Sequence, residues 1–155
     1  MKKNLNYNSG VTCGIPLDAE YFDVSGIVSG ADLPARGEQR VLASFQLHPQ
    51  YCGVLTHFAQ FTDRFALDNS QIRTPGFEWL IVQNGKPLFP YTRLELIVNP
   101  WGCNCLPVAV RLDENAKVEF ILRNRSGDPF DPTLTTFAGR ILGCYWYNET
   151  FGGRA

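Results

Sequence analysis

Apolar positions along this chain come in short runs, often with period two, and the runs are broken by Gly, Pro, Asn and Asp. Period two marks a strand with one buried face. The segment 40–47, RVLASFQL, puts Val41, Ala43, Phe45 and Leu47 on one face. The segment 53–61, GVLTHFAQF, mixes β-branched and aromatic residues after Gly53. In 77–83, FEWLIVQ, Phe77, Trp79 and Ile81 alternate with Glu78, Leu80 and Val82. That run meets Asn84-Gly85, a pair that tolerates the positive φ angles of a type I′ turn and so predicts a hairpin. Further strands are predicted at 94–98, LELIV, and at 21–28, YFDVSGIV. The segments 106–112 and 117–124, joined by DENA, predict a second hairpin. In it Val108, Val110 and Leu112 share a face with Val118, Phe120 and Leu122. The last run, TTFAGRILGCYWYN at 135–148, predicts a long strand or a strand pair bent at Gly139 or Gly143.

Helical periodicity is nearly absent. Only 62–72, TDRFALDNSQI, approaches the i, i+3, i+4, i+7 pattern, and it predicts one short helical turn. Short strands, frequent turn residues and no crossover helices predict an all-β chain, an antiparallel β-sandwich. A jelly roll or related Greek key is favoured over a closed barrel. Three regions are expected: an extended N-terminal arm and linker over 1–35, a sandwich over 36–148, and a flexible tail over 149–155.

Composition narrows the function classes. A chain of 155 residues fits one domain and can bury a core without a metal or disulfide. Charged residues make up 19%, below the roughly 25% of typical soluble domains, while aromatics make up 13%. Such a surface suits burial against other copies or a partner. The net charge of -1 and the scattered basic residues disfavour nucleic acid, whose binding rests on phosphate neutralisation. No apolar stretch reaches the roughly 20 residues that span a bilayer, so no membrane partner is expected. The start, MKKNLNYNSG, has no apolar segment behind its lysines, so cytoplasmic synthesis without a signal peptide is expected.

Candidate chemistry centres on cysteine, histidine and aromatics. The five cysteines are Cys13, Cys52, Cys103, Cys105 and Cys144, and an odd count without a secretion signal favours reduced thiols. Cys103 and Cys105 lie one residue apart in NPWGCNCLP, too tight for a relaxed disulfide or a usual zinc knuckle. A Pro- and Gly-flanked turn is preferred, with one disulfide or a metal site as the alternatives. The metal alternative would draw on Cys52, Cys103, Cys105, His48 and His57, or on Cys144. A metal-dependent β-sandwich enzyme is therefore the second alternative reading. No cofactor or catalytic residue is expected, because no Ser-elbow, metalloprotease, P-loop or dinucleotide motif occurs. Asp128 and Asp131, in SGDPFDPT, lack calcium-loop spacing and read as a Pro-rich turn.

The aromatic surplus points elsewhere. In CYWYN, Tyr145 and Tyr147 point to one face and Trp146 to the other, so both faces carry large rings. One face can enter the core. The other must meet solvent, a covering loop, the N-terminal arm or a partner. Trp101, Tyr145, Trp146 and Tyr147 are the candidate binding residues, for protein or, in a carbohydrate-binding or host-recognition module, for glycan.

The strand-rich segment 40–147 and the arm over 1–35 together resemble, in overall design, accessory proteins of tailed-phage virions. These include capsid decoration (cement) proteins and fibre or tail adaptors. The resemblance implies a non-enzymatic structural protein, made in the host cytoplasm and placed in the virion, or otherwise cytoplasmic. It further implies a homo-oligomer, with a trimer favoured, that contacts other virion or assembly proteins.

Overall fold

One buried face per strand forces the apolar runs to pair into sheets and the sheets to cover each other. The structure, a computed structural model, describes residues 15–62, 66–68, 71–73, 76–94, 105–125 and 136–148. Its strands are β1 (Glu20–Ser29), β2 (Gln39–Gln46), β3 (Tyr51–Thr62), β4 (Ala66–Asp68) and β5 (Gln71–Arg73). They continue with β6 (Phe77–Gln83), β7 (Lys86–Pro87), β8 (Cys105–Leu112), β9 (Lys117–Asn124) and β10 (Thr136–Tyr147). One sheet has the order β1-β10-β3-β8 and the other β2-β9-β6-β7.

All pairings are antiparallel, and they nest. β1 pairs with β10, β2 with β9, β3 with β8 and β6 with β7. The chain is a long double ribbon rolled up so that β10 also meets β3 and β9 also meets β6. That arrangement is the expected β-sandwich, in its jelly-roll form. β4 and β5 make a small separate ribbon between β3 and β6.

Several local expectations hold. Asn84 and Gly85 take φ angles of 51° and 78° and close the β6–β7 hairpin. β10 is one continuous strand, with its irregularity against β3 at Leu142/Gly143. Thr56 is the extra residue there, skipped in the register with both β10 and β8, and its Oγ1 donates to the Leu142 carbonyl at 3.2 Å.

Other expectations are corrected. β8 and β9 do not form a hairpin: they belong to opposite sheets, so their apolar faces meet across the core. A turn sequence cannot distinguish a hairpin from an arch, because both need only a reversal. The helical turn expected within 62–72 is replaced by β4 and β5. Val41 does not share the core face of Ala43 and Phe45. A bulge at Leu42 reverses the phase, burying Leu42 and leaving Val41 exposed. The strand predicted at 21–28 does form, as β1 within the region assigned to the arm, and it pairs along ten positions with β10. The 94–98 strand is described only at Leu94, which bridges to Trp79. Residues 1–14 and the tail over 149–155 lie outside the described residues.

The core is an aromatic spine between the layers. Phe137 of β10 lies 4.5 Å from Phe77 and 5.6 Å from Trp79, both on β6. The Trp79 indole N–H donates across the layers to the Ala138 carbonyl at 3.3 Å, which satisfies a buried donor. Phe58 of β3 meets Phe120 of β9 at 5.5 Å, and Phe22 of β1 stacks on Phe45 of β2 at 4.0 Å. Gly26 and Gly139 are register partners and open a notch in the first sheet. A Cβ on Gly139 would come within 2.6 Å of the Phe120 ring, and one on Gly26 would overlap the Leu42 carbonyl. The bulge of β2 therefore docks where two side chains are missing.

Two charge clusters sit outside this core. Glu78, buried on β6, accepts from Arg123 Nε at 2.7 Å and pairs with Arg125 at 3.1 Å and Arg93 at 3.5 Å. Asp23 of β1 and Arg140 of β10 form a two-pronged pair at the surface. The Arg140 hydrogen bond holds the Asp23 carboxyl below its ordinary pKa, outweighing a small desolvation effect.

These features give three expected outcomes. Gly26→Ala should lower unfolding free energy by roughly 2 kcal/mol or more, because the obstacle is backbone and cannot turn aside. A shifted denaturant midpoint at constant m-value is the readout. Glu78→Gln should cost about 2 kcal/mol or more, since three guanidiniums lose their shared counter-charge. Asp23 has a depressed folded pKa, so its contribution is present above the ordinary Asp pKa and disappears as pH falls through the folded value. Native and Asp23→Asn chains should thus differ by no more than about 1 kcal/mol at neutral pH, the pair being half exposed. Stability curves of the two chains should converge in acid.

Candidate interaction face

The first sheet turns one side to the core and the other outward. Antiparallel register places outward residues in rows across its strands. One row is Ile27, Ala138 and Phe61; the next is Ser25, Arg140, Ala59 and Cys105. A third is Asp23, Leu142, His57 and Pro107. The last rows contain Tyr21, Cys144 and Val54, then Trp146 and Cys52.

Among the described residues, Ile15 and Ala19 cover one end of this face. Cys52, Val54, Cys144 and Trp146 are buried, with Ile15 and Ala19 packed against them. The end of the expected arm therefore lies on its own sheet. Trp146 is 8% exposed, so its ring is not open to stack on a sugar, and its Nε1 has no hydrogen-bond partner among the described residues. Burial raises the Cys144 thiol pKa, which makes it a poor nucleophile at neutral pH. The rest of the face is open: Tyr21 is 81% exposed, Ile27 71% and Phe61 52%.

Tyr145 and Tyr147 gather with Tyr51 and Phe45. Tyr145 lies 5.6 Å from Phe45 and 5.8 Å from Tyr51, and Tyr51 lies 5.8 Å from Tyr147. The Tyr145 hydroxyl donates to Glu20 Oε2 at 2.5 Å, and this bond raises the phenol pKa, with desolvation adding to it. Tyr145 is thus a packed side chain with an occupied hydroxyl, while Tyr147 is 46% exposed.

The proposed metal ligands do not converge where they are described. His48 sits in the β2–β3 turn, its ring 6.5 Å from Tyr51. His57 lies at the bulge of β3, its Nδ1 3.0 Å from Thr56 Oγ1. Cys105 starts β8 opposite Ala59, and Cys52 faces outward near Trp146. Among the described residues, no three His, Cys, Asp or Glu side chains gather as a metal group. Trp101, Cys103, Asp128, Asp131 and Cys13 lie outside the described residues.

Sequence reasoning passed over Tyr21, Ile27 and Phe61. Their signal was present in the alternation of Tyr21, Asp23, Ser25 and Ile27 against Phe22, Val24, Gly26 and Val28. The strand itself was predicted at 21–28; which of its sides faces outward was settled only by the sheet it joins.

Among the described residues no helix is long and apolar enough to cross a membrane. No protein-family model matches the chain, and no characterised protein matches its sequence. Among solved structures, dimeric latent PorU from Porphyromonas gingivalis is similar at 10% identity and a TM-score of 0.32. The match covers 85% of this chain and 14% of that one, and at that TM-score it carries no argument about fold or function.

Proposed function

We propose that this protein is a non-enzymatic structural component that works through protein–protein contacts, including contacts with copies of itself. The observation that carries the proposal is the half-covered outer face of the first sheet. The chain lays Ile15 and Ala19 over one end and leaves Tyr21, Ile27 and Phe61 in the open. Ile27 and Phe61 flank Ala138 in one row, and Tyr21 lies further along β1 on the same face. Exposed apolar side chains of this kind are a liability in a solitary molecule and an asset in an assembly.

Jelly rolls build capsid shells, lectins and cupins, so the fold alone does not choose among them. The open apolar face supports the assembly use. A virion accessory role, as a capsid decoration or cement protein, is the specific form of this reading, and it rests on overall design. Repeated modest contacts would then add through multivalency.

The test is the solution mass of the full chain from micromolar to near-millimolar concentration. Self-association that is weakened by Phe61→Lys is expected. A chain that stays monomeric throughout overturns the self-contact part of the proposal. Deletion of residues 1–35 removes β1 and should abolish the native fold, which circular dichroism and hydrogen exchange would report.

A further inference from the structure

We propose that β1 is an assembly edge that pairs antiparallel with β1 of a second copy, about a two-fold axis at Val24. The inference deepens the assembly reading above and rests on it.

Among the described residues the two sheets have four edge strands, β1, β8, β2 and β7. Unpaired strand edges invite other strands, and proteins blunt them with proline, lysine, bulges, short length or side-chain caps. β7 is two residues long, Lys86 and Pro87. β8 carries Pro107, and its Arg111 carbonyl accepts the Gln83 side-chain amide at 2.9 Å. β2 carries the bulge at Leu42 and the Arg40 side chain, which donates to the Asp32 carbonyl at 3.2 Å. β1 lacks proline, lysine and a bulge, and its charged Asp23 is already paired with Arg140 of its own chain. It runs ten residues without proline or lysine, in unbroken register with β10. Among the described residues its backbone makes no ladder on its other side. Its core-side Val24 and Val28 are only half-buried against the core, as an open edge allows.

The sequence of β1 also selects the partner and the register. Opposed residues of an antiparallel pair share a face, so outward residues must meet outward residues. Centring the pair on Val24 sets each Tyr21 against Ile27 of the second copy, an aromatic–aliphatic pair made twice. Each Asp23 then faces Ser25 of the second copy. That serine neighbours an Arg140 which already neutralises the Asp23 of its own chain. Centring on Asp23 instead would oppose two carboxylates, and centring on Ser25 would set Tyr21 against Ser29. The two most exposed β-branched and aromatic side chains of the strand are thus complementary under a two-fold operation. One strand pair is a small interface, so dissociation on dilution is expected.

Ser25→Asp and Ser25→Lys test the arrangement by analytical ultracentrifugation. Ser25 is exposed beside Arg140, so the isolated fold should accept either residue, as near-ultraviolet circular dichroism would confirm. Ser25→Asp sets like charges opposite each other twice and should raise the dimer Kd roughly tenfold. Ser25→Lys sets opposite charges together and should lower it. Mixed Tyr21→Cys and Ile27→Cys chains should give a covalent dimer with a short bismaleimide. Neither variant alone should do so above the native background, because like positions sit about 20 Å apart. A native oligomer that both Ser25 variants leave unchanged, or a Tyr21→Cys chain that cross-links to itself, overturns the β1 pairing while leaving self-assembly standing. A native chain that never associates removes both.

Discussion

The notch formed by Gly26 and Gly139 is the constraint on which the sandwich depends. The two glycines lie side by side on β1 and β10, and the second sheet enters the space they leave. Leu42 approaches with its backbone at Gly26, while the Phe120 ring and the Leu42 side chain fill the space over Gly139. Interiors pack at crystal-like density, so a large ring in one layer needs a missing side chain in the other. The bulge that presents Leu42 there also turns Val41 outward. One local irregularity thus sets the layer spacing, the phase of β2 and the placement of Phe120.

That interlock has consequences at the surface. β1 is the terminal strand of its sheet among the described residues, and the Phe22–Phe45 stack binds its inner side to the second layer. An edge strand anchored this firmly is a rigid template. Its outward side chains then form a surface held in place by the core rather than by a mobile loop. The Asp23–Arg140 pair ties the same strand to β10 while leaving little uncompensated charge on the face. Rigidity of this kind lowers the ordering cost of association.

The chain shows opposite treatments of its two outer faces. On the first sheet, Ile15 and Ala19 cover the Trp146 end, while Tyr21, Ile27 and Phe61 are exposed. On the second, Leu80, Val82 and Ile121 are buried, and Glu78 gathers three guanidiniums. Among the described residues, His48 lies in a turn, while His57, Cys52, Cys105 and Cys144 sit in different rows of the first sheet's outer face, and no three of them gather as a metal group. What the surface concentrates is apolar area and paired charge.

Much of this was legible in the residues themselves. Alternation marked seven of the eight sandwich strands, Asn84-Gly85 gave its hairpin, and scarce helical periodicity gave the all-β class. These are short-range properties, fixed by side-chain period and by the φ angles that a turn demands. The sequence by itself did not show that β8 and β9 part into opposite sheets, that Leu42 bulges, or that Trp146 is covered by Ile15 and Ala19. Each of those depends on which surface lies opposite, and a strand with one apolar face is equally satisfied by a neighbour beside it or a layer above it. Tertiary packing made that choice, because only the assembled sandwich fills the glycine notch and closes the aromatic spine.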